Sequence, residues 1–148
     1  MISVIIKLLA TLAAGLFSGA AIYVNLVEHP ARMQCGTALA VTEFAPSYKR
    51  ATVMQASLAA FGSINGITAW LLSSGITWLI GGIFLGAVIP FTLIVMFPVN
   101  KKLLDPSLDK SSENAAELLS RWGRLHSMRS FLSLASFLIF IMSLVFVT

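Results

Sequence analysis

Charged residues are distributed along this chain so that long stretches carry none. None falls between Lys7 and Glu28, none between Arg50 and Lys101, and none after Arg129. Within these stretches apolar residues run on without the alternation that a membrane β-strand requires. A helix that crosses a bilayer needs about 20 predominantly apolar residues. The pattern predicts four spans, approximately residues 4–27, 51–72, 76–97 and 128–147, the second and third joined by a turn at Ser73-Ser74-Gly75. Polar segments 28–50 and 101–127 lie between spans, and an odd-even count puts both on one side of the membrane. The expected fold class is all-α: a single transmembrane domain over residues 1–148, built as an integral membrane four-helix bundle with a short amphipathic helix before the last span. Ser112 is placed to cap that helix. Ala115, Leu118, Leu119, Trp122 and Leu125 then recur at helical spacing, with Glu117 and Arg121 set to pair.

Composition agrees with this reading. Of 148 residues 57% are hydrophobic and 11% charged, more apolar surface than a soluble domain of this size can hide. The net charge of +4 is a topology signal, because every basic residue except Lys7 belongs to the side that carries the two polar segments or flanks it. The positive-inside rule makes that side cytoplasmic, with both termini outside, in a membrane of the bacterial inner type. No aromatic-basic groove or known motif accompanies the charge, so no nucleic-acid partner is expected. The small residues Ser18-Gly19-Ala20-Ala21 loosely suit a signal-peptide cleavage site, but the apolar run continues to Val27, too long for such a segment, and a retained span is expected. Cys35 is the single cysteine and reads as a small packing residue.

Three spans carry a GxxxG: Gly15 and Gly19, Gly62 and Gly66, Gly82 and Gly86. Such strips let helix backbones approach closely within a bundle, and the same faces can serve a homodimer. Asn65, near mid-membrane, is expected to face inward, either bonded to backbone or lining a ligand cavity. Pro90 interrupts the third span, and Trp70 and Trp78 are expected as interfacial anchors beside the outer turn.

The candidate chemistry gathers where the spans meet the charged side. Glu28, His29 and Arg32 emerge from the first span, with Pro30 expected to break the helix between Glu28 and Arg32. Trp122, His126 and Arg129 fall at i, i+4 and i+7 on one helical face. Tyr48 enters the second span and Asn100 leaves the third. Each residue has an ordinary use as a lipid anchor or packing group. Convergence of both histidines with Arg and Tyr at one depth argues for a shared site. Metal binding by His29, His126 and Glu28 lacks any HxxxH, HExxH or CxxC spacing, so neither a metal nor another cofactor is expected. No triad for nucleophilic hydrolysis is present. Proton abstraction fits better: a neutral histidine acts as base near pH 7, and Arg, Tyr or Asn holds the anion that forms.

Three elements also carry a family resemblance: the small residues of the first span followed by His29-Pro30, the run Pro-Phe-Thr-Leu-Ile-Val-Met-Phe-Pro-Val-Asn-Lys-Lys-Leu-Leu at 90–104, and Trp-Gly-Arg-Leu-His-Ser-Met-Arg at 122–129. Together they resemble the anthrone oxygenase family of short four-span membrane proteins. The resemblance implies oxidation of anthrones to anthraquinones by O₂ without an evident cofactor. It implies motif positions Pro98, Asn100, Trp122, His126 and Arg129, with His29 and Pro30 beside them. On that basis His126, Arg129 and His29 are the expected catalytic residues, and Tyr48, Asn100, Trp122, Asn65 and Arg32 the expected substrate-binding ones. The expected partners are membrane lipid and an apolar or aromatic small molecule. The competing reading is a non-enzymatic lipid-binding or membrane assembly protein, in which the basic residues hold phosphate. A transporter is disfavoured, since no clear repeat relates the two halves of the sequence and no carboxylate lies within a span.

Overall fold

The computed structural model describes residues 1–72 and 75–146; Ser73 and Ser74, assigned above to a turn, lie outside the described residues. All described secondary structure is helical: α1 (Ile2–Tyr23), a π-turn (Val24–Glu28), α2 (His29–Gln34), α3 (Thr37–Leu71), α4 (Ile76–Phe91), a second π-turn (Thr92–Met96), α5 (Phe97–Leu103) and α6 (Glu113–Phe146). Three rods, Ile2–Gln34, Ile76–Leu103 and Glu113–Phe146, are long and apolar enough to cross a membrane. The remaining rod, α3, is equally long, but Gln55, Ser57, Ser63, Asn65 and Thr68 dilute its uncharged part. α1 packs against α3 and α6, and α4 packs against the same two.

The polar segment 28–50 is mostly helix. It reverses at Cys35-Gly36, where Gly36 has φ +88°, a conformation that a side chain disfavours. Ser112 accepts from the Ala115 amide at 3.2 Å and so caps α6, which continues unbroken to Phe146. Glu117 and Arg121 form no ion pair; both are exposed, where such a pair adds little.

Each π-turn ends two residues before a proline. The His29 amide reaches the Val24 carbonyl and the Phe97 amide reaches the Thr92 carbonyl, five residues back in each case; Pro30 and Pro98 follow. A proline ring clashes with the carbonyl four residues earlier. Widening the turn by one residue moves that carbonyl aside, so the helix passes the proline instead of ending there. This corrects the expectation that Pro30 separates Glu28 from Arg32: the two form an ion pair across it. Although no repeat between the halves is legible in the sequence, the buried positions of the first and third rods correspond, Ala10 with Trp78, Ala14 with Gly82, Phe17 with Leu85 and Arg32 with Asn100. Those of α3 and α6 do likewise, Val41 with Ala115, Phe44 with Leu118 and Ala59 with Ser133.

The apolar body is closed by Phe17, Leu85, Trp78 and Phe140, all essentially inaccessible. Trp78 is therefore no interfacial anchor: it lies on the α4 face turned toward α6 and stacks on Phe140, centroids 5.2 Å apart. The glycines of α3 and α4 serve contact within the chain, whereas Gly19 faces open space. A Cβ on Gly66 would lie 2.7 Å from the Phe140 ring and 3.1 Å from the Gly82 Cα. Phe140 is locked by Trp78 and cannot retreat. Gly66→Ala is expected to destabilise the protein by about 1–3 kcal/mol, read as a lowered Tm in detergent.

Candidate functional site

Two polar stripes face each other where α3 meets α6. On α6 the residues are Trp122, His126 and Arg129; on α3 they are Tyr48, Thr52 and Gln55, at the same i, i+4, i+7 spacing. Arg129 joins them, donating from Nη2 to Gln55 Oε1 and to His126 Nε2, the latter at 3.0 Å. The opposite edge of the imidazole is held from the first π-turn, with His126 Nδ1 2.7 Å from Asn25 Oδ1. Asn25 is itself oriented, because its Nδ2 donates to Ser130 Oγ at 2.8 Å and Ser130 donates to the His126 carbonyl at 3.0 Å. Every direction in this chain is set. Nδ1 carries the proton, and the Nε2 lone pair faces the guanidinium.

Beside Nε2 is a chamber of about 30 Å³, walled by Trp122, His126, Arg129, Tyr48, Gln55 and Asn100. It has room for a pair of water molecules or one dioxygen molecule. Several buried polar atoms of its walls have no hydrogen-bond partner among the described residues: Trp122 Nε1, Arg129 Nε and Asn100 Oδ1. Asn100 donates to the Tyr48 hydroxyl at 3.3 Å, leaving the phenolic proton for another acceptor. Arg32 and Asn100, each two residues past the proline of its π-turn, both reach this chamber. Arg32 is buried and pairs with Glu28 and with Glu43, the latter at 2.7 Å, while Ser47 donates to Glu28 at 2.7 Å. Its guanidinium also lies over the Trp122 ring, 5.8 Å from the centroid.

A second cavity of about 110 Å³ adjoins the first and shares Tyr48, Thr52, Gln55 and Arg129 with it. Its other walls are apolar apart from Thr92, whose hydroxyl donates back to the Val88 carbonyl at 2.8 Å; Ala56 and Ala59 lie on one side and Val88, Ile89 and Leu93 on the other. At its back Phe17 underlies the Arg129 guanidinium at 5.5 Å.

The sequence model of the anthrone oxygenase family matches residues 44–139. The chain belongs to that family. The anthrone oxygenase match spans Tyr48, Gln55, Asn100, Trp122, His126 and Arg129, so most of the chamber wall falls within it, while Asn25, His29 and Arg32 precede it. The chain matches no curated protein and no solved structure.

Of the residues singled out in the sequence, Tyr48, Asn100, Trp122, His126, Arg129 and Arg32 line the chamber of this anthrone oxygenase family member. His29 does not. It is stacked obliquely on the outer face of Trp122, ring centroids 5.2 Å apart, in a gap left by Gly123, where a Cβ would come within 2.5 Å of Nε2. Glu28 points into the chamber, and the next residue is turned about 100° round the helix, which carries His29 to the far side of the indole. The two histidines therefore flank one tryptophan and do not share a cavity. Asn65 is away from the site too, and it donates to the Phe61 carbonyl of its own helix at 2.8 Å. Among the described residues no three His, Cys, Asp or Glu side chains are grouped as a metal site needs. Asn25, Gln55 and Ser130 escaped the sequence reading. For Gln55 a signal existed in the stripe Tyr48, Thr52, Gln55, which repeats the spacing of Trp122, His126, Arg129.

Proposed function

We propose that this protein is a membrane-embedded, cofactor-independent oxygenase that converts an anthrone, or a phenol of similar ring system, to the corresponding quinone. The observation that carries the reading is the placement of His126 Nε2, an imidazole lone pair of defined tautomer at the wall of a small chamber whose other walls offer unused hydrogen-bond donors. The substrate carries an acidic CH₂ group conjugated with a carbonyl. Arg129 turns from His126 Nε2 to the substrate oxygen, the freed Nε2 lone pair removes one proton, and the electron pair moves to the carbonyl oxygen. Arg129, Tyr48 and Trp122 Nε1–H stabilise that oxyanion. The carbanionic carbon passes electrons to O₂ and bonds to it, and the protonated His126 returns its proton to give a hydroperoxide. Loss of the second C–H proton with the distal oxygen as hydroxide yields the C=O and one water. The CH₂ is oxidised by four electrons and one O₂ is fully reduced, with no external reductant.

In this proposal all four rods span the bilayer as one bundle of approximately 4–27, 51–72, 76–97 and 128–147, and the chamber lies toward the cytoplasmic side of a bacterial-type inner membrane. The excess of Lys and Arg beside that end supports the orientation.

Purified protein in lipid nanodiscs, supplied with an anthrone and ¹⁸O₂, tests the reading. The expected product is the quinone carrying one ¹⁸O, formed with equimolar oxygen consumption and at an unchanged rate after chelator treatment. A rate no faster than spontaneous autoxidation overturns the enzyme reading. Loss of activity on chelation, restored by a metal, overturns cofactor independence.

A further inference from the structure

The two halves of the bundle correspond, yet their seams differ. Between α6 and the first rod, Asn25, the second residue of its π-turn, bonds to His126 and reaches Ser130, the residue after Arg129. These bonds close that seam. Between α3 and the third rod the corresponding positions are Leu93, second in its π-turn, Thr52, and Ala56, the residue after Gln55. Among the described residues no side-chain hydrogen bond joins these three positions, and the 110 Å³ cavity lies there instead. Its outer wall is exposed: Leu93 is 64% and Phe97 52% accessible, and both sit among other exposed apolar residues such as Val53 and Ile94. Its inner end is the Gln55–Arg129 hydrogen bond, which also borders the polar chamber.

We infer that this open seam is the doorway and ring-binding subsite for a flat, apolar polycyclic phenol that reaches the protein dissolved in the lipid. The inference rests on the oxygenase reading and adds the route and the residues that select the substrate. The rings lie between Ala56 and Ala59 on α3 and Val88 and Ile89 on α4, whose small or aliphatic side chains offer no hydrogen bond. The oxygenated edge then meets Gln55 and Arg129 at the inner end. A guanidinium that releases Gln55 or His126 Nε2 can take the phenolic oxygen in exchange, so the pair acts as a gate that only a polar edge opens. A bulky apolar lipid chain has nothing to offer it.

The test uses the full-length protein in nanodiscs, with 1,8-dihydroxyanthraquinone as a coloured binding probe and an anthrone for turnover. Ala56→Trp fills the doorway from a lipid-facing position and leaves the buried core untouched, and Val53→Trp adds the same bulk outside the seam. Ala56→Trp is expected to lower probe affinity and kcat/KM by about tenfold or more, with Val53→Trp within about twofold of wild type. The double variant Ala56→Ser with Leu93→Asn, which copies the closed seam, is expected to slow binding in the same direction. His126→Asn separates the two claims, since it should bind the probe normally while losing turnover. Wild-type behaviour of both Ala56→Trp and the double variant would overturn the doorway and leave the oxygenase standing. A wild-type protein that neither binds the probe nor accelerates anthrone oxidation would overturn both.

Discussion

His126→Asn is expected to lower turnover by about 10²–10⁴-fold, the usual contribution of a positioned general base, with ring binding retained. The substitution is chosen from the hydrogen-bond chain. Asparagine places an amide nitrogen near the site of Nδ1 and can still donate to Asn25 Oδ1, so the seam between the first rod and α6 stays closed. What it removes is Nε2, the atom at the chamber wall. Alanine is the poorer test, because it leaves the Asn25 oxygen without its donor, and an unsatisfied buried group costs about 1–3 kcal/mol. Anaerobic binding of the quinone probe followed by aerobic turnover measures the two effects separately. Retained turnover in His126→Asn would remove the base from the mechanism. Loss of binding in step with turnover would make His126 a structural residue.

Arg129→Lys is expected to reduce kcat by about 10²–10³-fold, the range found when one oxyanion donor is removed. Arginine here combines donors and a flat face that a lysine lacks. It donates to Gln55, donates to His126 Nε2, and holds an unpartnered Nε among the buried polar atoms of the site, while its face rests on Phe17. An ammonium keeps the charge and loses that geometry. Comparison with His126→Asn discriminates between function classes. In an enzyme both variants lose turnover, and the histidine variant keeps its ligand. In a module that merely holds lipid phosphate, Arg129→Lys would retain most of its affinity and His126→Asn would change nothing. Steady-state kinetics with equilibrium binding of the same probe in both proteins decides the matter.

How much of this could be read beforehand depended on which residues carry charge. The uncharged stretches announce long apolar helices, and Trp122, His126 and Arg129 announce a polar face because charge and ring nitrogen stand out from their neighbours. Gln55 and Asn25 carry no charge and sit inside apolar runs, so their role appears only when another helix supplies Arg129 or His126 as partner. His29 was misplaced for a different reason. Its depth matched that of His126, Arg129 and Tyr48, but depth does not fix direction around the helix axis, where adjacent residues point about 100° apart. Trp78 was misread because a tryptophan beside an apparent turn resembles an anchor, and its actual neighbour, Phe140, is far away in sequence. The π-turns leave almost no local mark. The proline after each invites the conclusion that the helix stops, whereas a widened turn lets it pass.

Those widened turns have a bearing on how the family can vary. Each holds one residue more than an ordinary helical turn would need, and that surplus residue sets the azimuth of everything beyond it. A single-codon deletion within Val24–Glu28 or Thr92–Met96 would rewind the turn and swing Arg32 or Asn100 about a quarter-circle away from the chamber. The apolar half of the rod would be left undisturbed. Length change at these two points, coupled to replacement of the proline that each widened turn accommodates, is thus the economical way for descendants of this scaffold to re-aim the polar mouth while keeping the same apolar frame.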